Sequence, residues 1–296
     1  MTISIRQKLL TGHARILQKP LLSLLSSPRL LRSSANLNAT LLHAKARSAR
    51  FEEVSSDPAL VRVRAGDQTA QGAILYLHGG GFVLGGLRGY RALTATLAAK
   101  AGMPVYFLEY AKAPEHPYPT ALNQAEDAFV RLAASYGAGS VSIMGDSAGG
   151  GLALALLHRL IAKQSALPHA LALFSPLTNL AAELPSFQNN RRSDALLSPA
   201  FVRRGNAAYT AGSDAKNPEI SPLFGHFKGA PKIQIQADRS EILYDQSVAM
   251  TAHLKAQDVA VELCETDGLF HCYQMYAGRA PEADNALEKA ATFLAA

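Results

Sequence analysis

The six residues Gly145-Asp146-Ser147-Ala148-Gly149-Gly150 constrain this chain more than any other stretch. Residues 140–144 before them form a short run with β-branched members that reads as a buried strand, and the Ala/Leu-rich residues 152–163 after them read as a helix. A serine therefore sits on a strand-to-helix turn with glycine two positions to either side, the G-x-S-x-G pattern of a nucleophile elbow. Glycine is needed at the flanks because a side chain there would strike the neighbouring strand or helix once the turn is this tight. The following helix points its unpaired N–H groups at the same place, which favours negative charge on a reacting oxygen.

The rest of the chain supplies an α/β frame for that turn. Residues 60–64, 73–77, 104–109, 170–174, 232–236 and 259–264 read as strands, and residues 121–135, 243–256 and 284–294 as helices, with a long polar, Pro-containing stretch from 175 to about 228. Such alternation predicts a mostly parallel central sheet with helices on both faces. The length of 296 residues suits one large core.

His78-Gly79-Gly80-Gly81-Phe82 follows the strand at 73–77. Consecutive glycines leave backbone N–H groups uncovered, as an oxyanion hole requires. Gly80 and Gly81, with the N–H of Ala148, are the expected donors; Gly79 shapes the turn and His78 is a structural hydrogen-bonding residue. A base should follow the last strand on a loop that folds back over the elbow. His271, in Gly268-Leu269-Phe270-His271, has that placement, whereas His116 lies in a Pro-rich loop and His158 and His253 fall inside helix patterns.

The net charge of +6 is unevenly spread. Residues 1–50 carry nine Lys/Arg and no Asp or Glu, leaving 20 basic and 23 acidic side chains in residues 51–296. The basic character belongs to the N-terminal segment, so no nucleic-acid partner is expected. That segment is too short in apolar run to span a bilayer and lacks a convincing signal-peptide cleavage site. Leu9, Leu10, His13, Ile16 and Leu17 fall at helical spacing opposite Arg6, Lys8, Arg15 and Lys19. A cap helix over the site is the expectation, with membrane contact as the second reading and a transit-peptide-like composition also noted. Two cysteines, Cys264 and Cys272, at no metal or redox spacing imply reduced thiols and a cytoplasmic location.

Together, His78-Gly79-Gly80-Gly81-Phe82, the elbow and the order serine, acid, histidine resemble the hormone-sensitive lipase family of esterases in the α/β-hydrolase fold, over nearly all of residues 70–280. Residues 110–119 resemble that family's Tyr-Arg-Leu-Ala-Pro-Glu-His-Pro-Phe-Pro stretch, with Lys112 in place of the arginine, and residues 217–223 its Asp-Pro-x-x-Ser-Pro-Leu stretch. Cys272 stands where the family has glycine and Tyr273 where it has phenylalanine. The resemblance implies a serine carboxylesterase for short- to medium-chain esters, working through an acyl-enzyme without metal or organic cofactor. It implies an N-terminal cap segment at 1–50 and a catalytic domain at 51–296 with a cap insertion at 176–217. Two carboxylates compete for the acid of the triad. Laying Leu243 on the leucine of the family's Asp-Pro-Leu pattern puts Glu241 on the acid, while Asp238, nearer the strand, is the alternative. Amidase, lactonase or deacetylase activity on the same triad, or a non-catalytic ligand receptor, are the rival functions. The expected partner is a small-molecule ester, and a homodimer is compatible with the sequence.

Overall fold

The computed structural model describes residues 3–46 and 48–296. The helices among them are α1 (Ile5–His13), α2 (Lys19–Leu24), α3 (Pro28–Leu42), α4 (Leu87–Ala101), α5 (Thr120–Tyr136), α6 (Ala148–Ala162), α7 (Pro185–Asn189), α8 (Pro199–Thr210), α9 (Tyr244–Lys255) and α10 (Pro281–Ala295). The strands are β1 (Arg50–Ser56), β2 (Ala59–Arg64), β3 (Ala73–Leu77), β4 (Val105–Glu109), β5 (Val141–Asp146), β6 (Ala170–Phe174), β7 (Lys232–Asp238) and β8 (Val261–Thr266). They form one sheet in the order β1-β2-β4-β3-β5-β6-β7-β8. β2 is antiparallel to β1 and β4, and all pairings from β4 to β8 are parallel. This is the expected mostly parallel α/β architecture.

The strand sequences explain the layering. β3, β5 and β6 are buried along their whole length, as strands covered on both faces must be. Alternate side chains serve opposite cores: Leu75 and Leu77 pack with α5, α6 and α9, while Ile74 and Tyr76 pack with α4 and α10. Parallel register then sets the site. Leu77 pairs with Gly145, Asp146 with Phe174, Phe174 with Gln236, and Asp238 with Thr266. The loops after β3, β5, β6, β7 and β8 therefore leave the same carboxyl edge of the sheet, where open α/β sheets build their sites.

Several elements differ from the sequence expectation. β8 begins two residues later than expected and runs to Thr266, and the strand at Lys232 extends to Asp238. β1 was not expected because Arg-Phe-Glu-Glu-Val-Ser-Ser is a polar, largely exposed edge strand with no clean alternation. α4 follows a Gly-rich loop and carries Gly89 inside it, which hides its start. The stretch after β6 holds α7, α8 and a 3₁₀ turn at Pro222–Phe224. Ser198-Pro199 marks the start of α8: the Ser198 hydroxyl accepts from the Phe201 N–H, and proline occupies the first turn.

The N-terminal segment is helical, but its faces are assigned differently from the expectation. α1 passes through a π-helical turn at Ala14–Gln18 into α2. Gln7 and Ala14 are buried, while Leu9, Ile16 and Leu17 of the expected apolar face are exposed.

Candidate active site

Ser147 lies between the end of β5 and the first residue of α6, at φ 51° and ψ −121°. This left-handed backbone is costly for a non-glycine residue and is held by its surroundings: the Ser147 N–H donates to the Phe174 carbonyl at 2.7 Å, and its own carbonyl accepts from Gly151 and Leu177 at 3.0 and 2.9 Å. The flanking glycines are required by close approach. A Cβ on Gly145 would lie 2.5 Å from the Gly149 carbonyl oxygen, and one on Gly149 would lie 2.1 Å from that of Leu77. The collision partners are the helix and the adjacent strand. As the first residue of α6, Ala148 has a backbone N–H without an intrahelical acceptor.

His271 is on the loop after β8, and its Nδ1 lies 2.6 Å from Oε2 of Glu241. A carboxylate accepts, so Nδ1 carries the proton and Nε2 presents a lone pair. That Nε2 is buried with no hydrogen-bond partner among the described residues. The other oxygen of Glu241 accepts from the Ser175 hydroxyl at 2.9 Å and from the Asp238 N–H at 2.8 Å. Burial by itself lowers the imidazole pKa, but the Glu241 carboxylate, supported by Asp194 and Asp146, outweighs it and holds His271 above the ordinary 6.5.

Asp238 does not touch His271. Its Oδ2 accepts from the Thr266 hydroxyl at 2.8 Å and the Leu269 N–H at 3.0 Å, and its Oδ1 from the N–H and hydroxyl of Ser240. It therefore clamps the loop carrying His271 to the loop carrying Glu241. Three further residues, for which the sequence offers no motif, hold Glu241 or its neighbour Ile242. They are Ser175, Asp194, whose Oδ2 accepts from the Ile242 N–H at 3.0 Å, and Asn190, whose amide donates to the Glu241 carbonyl at 2.9 Å.

Gly80, Gly81 and Phe82 all adopt positive φ (112°, 59° and 62°) in the loop after β3. The Gly80 carbonyl turns back to accept from Val83 and Leu84 at 3.1 and 3.0 Å. Asp146 ties this loop to the elbow, since its carboxylate accepts from the Gly79 N–H at 3.0 Å and from the hydroxyls of Tyr76 and Tyr90 at 3.0 and 2.9 Å. His78 is fully buried and stacked on Tyr110 at 4.1 Å, with Nδ1 2.8 Å from the Gly79 carbonyl oxygen. Burial, reinforced by the Lys112 charge, lowers its pKa to about 3, so it stays neutral. It belongs to the scaffold.

Ser147, His271, Gly80 and Gly81 open onto one cavity of about 740 Å³. Phe201, Leu196 and Leu197 form part of its wall, and Leu17, Leu21, Leu37 and Leu41 lie at its N-terminal side. A polar group also faces it: Gln18 Nε2 lies 2.6 Å from the Tyr276 hydroxyl and 3.0 Å from Asn38 Oδ1. Lys112, in the position of the family's arginine, lines the cavity too, and burial lowers its pKa.

The N-terminal helices are held down by bonds to main-chain carbonyls. Arg15 donates to Ser193, and Lys19 donates to Arg191 and Asp194. Arg32 donates to Val83 and Ala113 and pairs with Glu115 through both nitrogens of its fork. Part of the segment's basic character is thus spent on carbonyls rather than on acids.

The departures next to His271 have a local reading. Cys272 adopts φ 54°, the left-handed conformation that glycine takes without strain, and is buried with Tyr273. Both cysteines are free.

A family model described as alpha/beta hydrolase fold matches residues 74–275. The chain is 36% identical to an acetyl-hydrolase of Streptomyces hygroscopicus over 223 residues, 75% of this chain and 74% of the relative. It is 34% identical to an ethyl acetate hydrolase of Pseudomonas putida, over 80% of this chain and 74% of that one. A crystal structure of an esterase from the bacterial hormone-sensitive lipase family superposes with a TM-score of 0.91 at 28% identity, covering 99% of this chain and 98% of the other. The strand-borne serine elbow, the glycine loop beside it and these similarities lead to one conclusion: this chain belongs to the hormone-sensitive lipase family of esterases within the α/β-hydrolase fold.

Proposed function

We propose that this protein is a serine carboxylesterase acting on short- to medium-chain esters, with Ser147 as nucleophile, His271 as general base and acid, and Glu241 as the residue that orients and charges the base. The observation that carries the reading is the His271–Glu241 pair, which leaves Nε2 unpartnered in the cavity that Ser147 also lines. In the first half-reaction the Ser147 oxygen bonds to the ester carbonyl carbon while its proton passes to His271 Nε2. The carbonyl oxygen becomes an oxyanion facing the N–H groups of Gly80, Gly81 and Ala148. The alcohol then leaves with the proton from His271, and water, activated by the same Nε2, releases the acid and restores the serine. None of these steps calls for a metal or organic cofactor.

Residues 1–50 and the insertion 176–217 are read as the two parts of a cap over the catalytic domain at 51–296, and the cytoplasm as the location, consistent with two free thiols. No described helix is long and apolar enough to cross a membrane. The cavity wall, with Phe201, Leu196 and Leu197, suits an apolar acyl or alcohol group. Turnover of p-nitrophenyl esters from acetyl to dodecanoyl tests the class. The highest kcat/KM is expected among the shorter chains, with the matching anilides cleaved far more slowly. Anilides cleaved as fast as esters would make the protein an amidase.

The pH profile tests the base. An imidazole whose pKa is raised above 6.5 is protonated, and so unable to accept the serine proton, over a wider acid range. The acid limb of kcat/KM is therefore expected at an apparent pKa above 6.5, and removing the carboxylate in Glu241→Gln should move the remaining activity's limb downward. A profile flat through that region would argue against His271.

Arg32 tests the cap. Its bonds to the Val83 and Ala113 carbonyls hold α3 over the loop bearing Gly80 and Gly81, while its exposed pair with Glu115 adds little. Loss of the carbonyl bonds at about 0.5–1.5 kcal/mol each gives an expected rise in KM of roughly tenfold for Arg32→Ala, with a smaller change in kcat. Steady-state kinetics on a soluble ester measures the split.

A further inference from the structure

The N-terminal helices turn a set of apolar side chains away from the core, and four of them line the cavity. Thirteen large apolar side chains are exposed among the described residues, and nine of them lie between Ile5 and Leu41. They are ordered by helical geometry. Leu17, Leu21 and Leu24 recur at i, i+4, i+7 along the π-helical turn and α2, and Leu30, Leu37 and Leu41 recur at i, i+7, i+11 along α3. Each row sends two members into the cavity lining, Leu17 and Leu21 from one and Leu37 and Leu41 from the other, while Leu24 (81% exposed) and Leu30 (57%) stand outside it. The two rows thus meet at the cavity lining as an apolar collar. Soluble proteins rarely leave a contiguous patch of this kind uncovered.

Two observations decide what covers it. Four collar leucines line the cavity that Ser147 and His271 also line, so a protein seated on them would cover part of its wall. The segment that carries it holds nine Lys/Arg and no acidic residue. Arg29 and Lys8 are exposed on these helices, and exposed Arg88 stands among the lining residues of the cavity. A second copy would set this charge against itself, whereas an anionic lipid surface complements it and leaves the leucine-lined side of the cavity facing the acyl region.

We propose that the N-terminal helices dock this protein on anionic lipid surfaces, with the collar leucines immersed and the exposed cations over the headgroups, so that the cavity takes its esters from the lipid phase. The docking stands on the surface itself; only the delivery of substrate rests on the esterase reading.

The test is co-sedimentation of the full chain with vesicles of phosphatidylcholine alone and of phosphatidylcholine mixed with phosphatidylglycerol. The protein should pellet with the mixed vesicles, weakly with the neutral ones, and less as salt is raised. Leu24→Ser with Leu30→Ser, neither in the cavity lining, should weaken the partition at least about tenfold by removing two leucines from the immersed surface, with turnover of a soluble ester unchanged. Arg29→Glu with Lys8→Glu should abolish the preference for the anionic vesicles. Ser147→Ala protein should bind as the parent does, which separates failure of docking from failure of the esterase reading. Three results would overturn the proposal: no pelleting with either vesicle, equal pelleting of the parent and the leucine variant, or light scattering that shows a dimer dissociated by the leucine variant, which would make a second copy the occupant.

Discussion

Ser147→Ala should lower ester turnover by about 10⁵- to 10⁶-fold, the scale seen when a triad nucleophile is removed and binding and oxyanion donors remain. The change deletes one hydroxyl. Ser147 is held by its own backbone bonds to Phe174, Leu177 and Gly151, all of which alanine keeps. Alanine meets the same strain at φ 51° as serine does, so circular dichroism and the thermal midpoint should barely move. KM should also stay close to the parent value, because the cavity walls and the loop at Gly80 and Gly81 are intact. Residual turnover within about a hundredfold of the parent, in protein free of contaminating esterase, would remove Ser147 from the chemistry.

Glu241→Gln should cost on the order of 10⁴ in kcat, as amide replacement does when the acid of a triad fixes its histidine's tautomer. The carboxylate accepts from three donors: His271 Nδ1, the Ser175 hydroxyl and the Asp238 N–H. A glutamine can place its oxygen toward only one side. If the NH₂ faces His271, Nδ1 must become the acceptor, the proton moves to Nε2, and the lone pair that takes the serine proton is lost. Asp238→Asn is the matched comparison. Its carboxylate holds Thr266, Leu269 and Ser240, so an amide there would leave a buried donor facing donors. It should cost about 1–3 kcal/mol of stability with much less effect on kcat at a temperature where the fold holds. A near-normal Glu241→Gln beside an inactive Asp238→Asn would exchange the two roles.

These assignments show what was legible in the sequence. The elbow and the loop at His78–Phe82 could be read because their chemistry is local: tight turns demand glycine at fixed offsets, and the structure shows the collisions a side chain would cause at Gly145 and Gly149. The parallel sheet followed from buried apolar runs alternating with helix patterns. Ser175, Asp194 and Asn190 were not legible, because they reach Glu241 or its neighbour Ile242 from stretches remote in sequence and carry no spacing signal. The choice between Glu241 and Asp238 rested on alignment to a family pattern, since Asp238 ends β7 and Glu241 lies three residues beyond it; of the two, Glu241 is the one hydrogen-bonded to His271. The N-terminal helix was legible as a helix but not in its orientation. Periodicity defines two faces without saying which one turns inward, and a π-helical turn at Ala14–Gln18 shifts the register midway. Hence Gln7 and Ala14 point in, and Leu9 and Ile16 point out. α8, which contributes Phe201 to the cavity wall, lies in the stretch expected as a cap insertion, whose polar composition gave no helix bounds; the start it does show is Ser198-Pro199.

The central claim is a covalent acyl-enzyme on one serine. The most direct measurement is mass spectrometry of the protein quenched during turnover of a p-nitrophenyl ester, followed by peptide mapping. The acyl mass should appear on the peptide containing Ser147, be absent from Ser147→Ala, and persist longer below neutral pH, where protonated His271 cannot activate water. An adduct on any other residue, or full turnover with no adduct on Ser147 under conditions that slow deacylation, would contradict it.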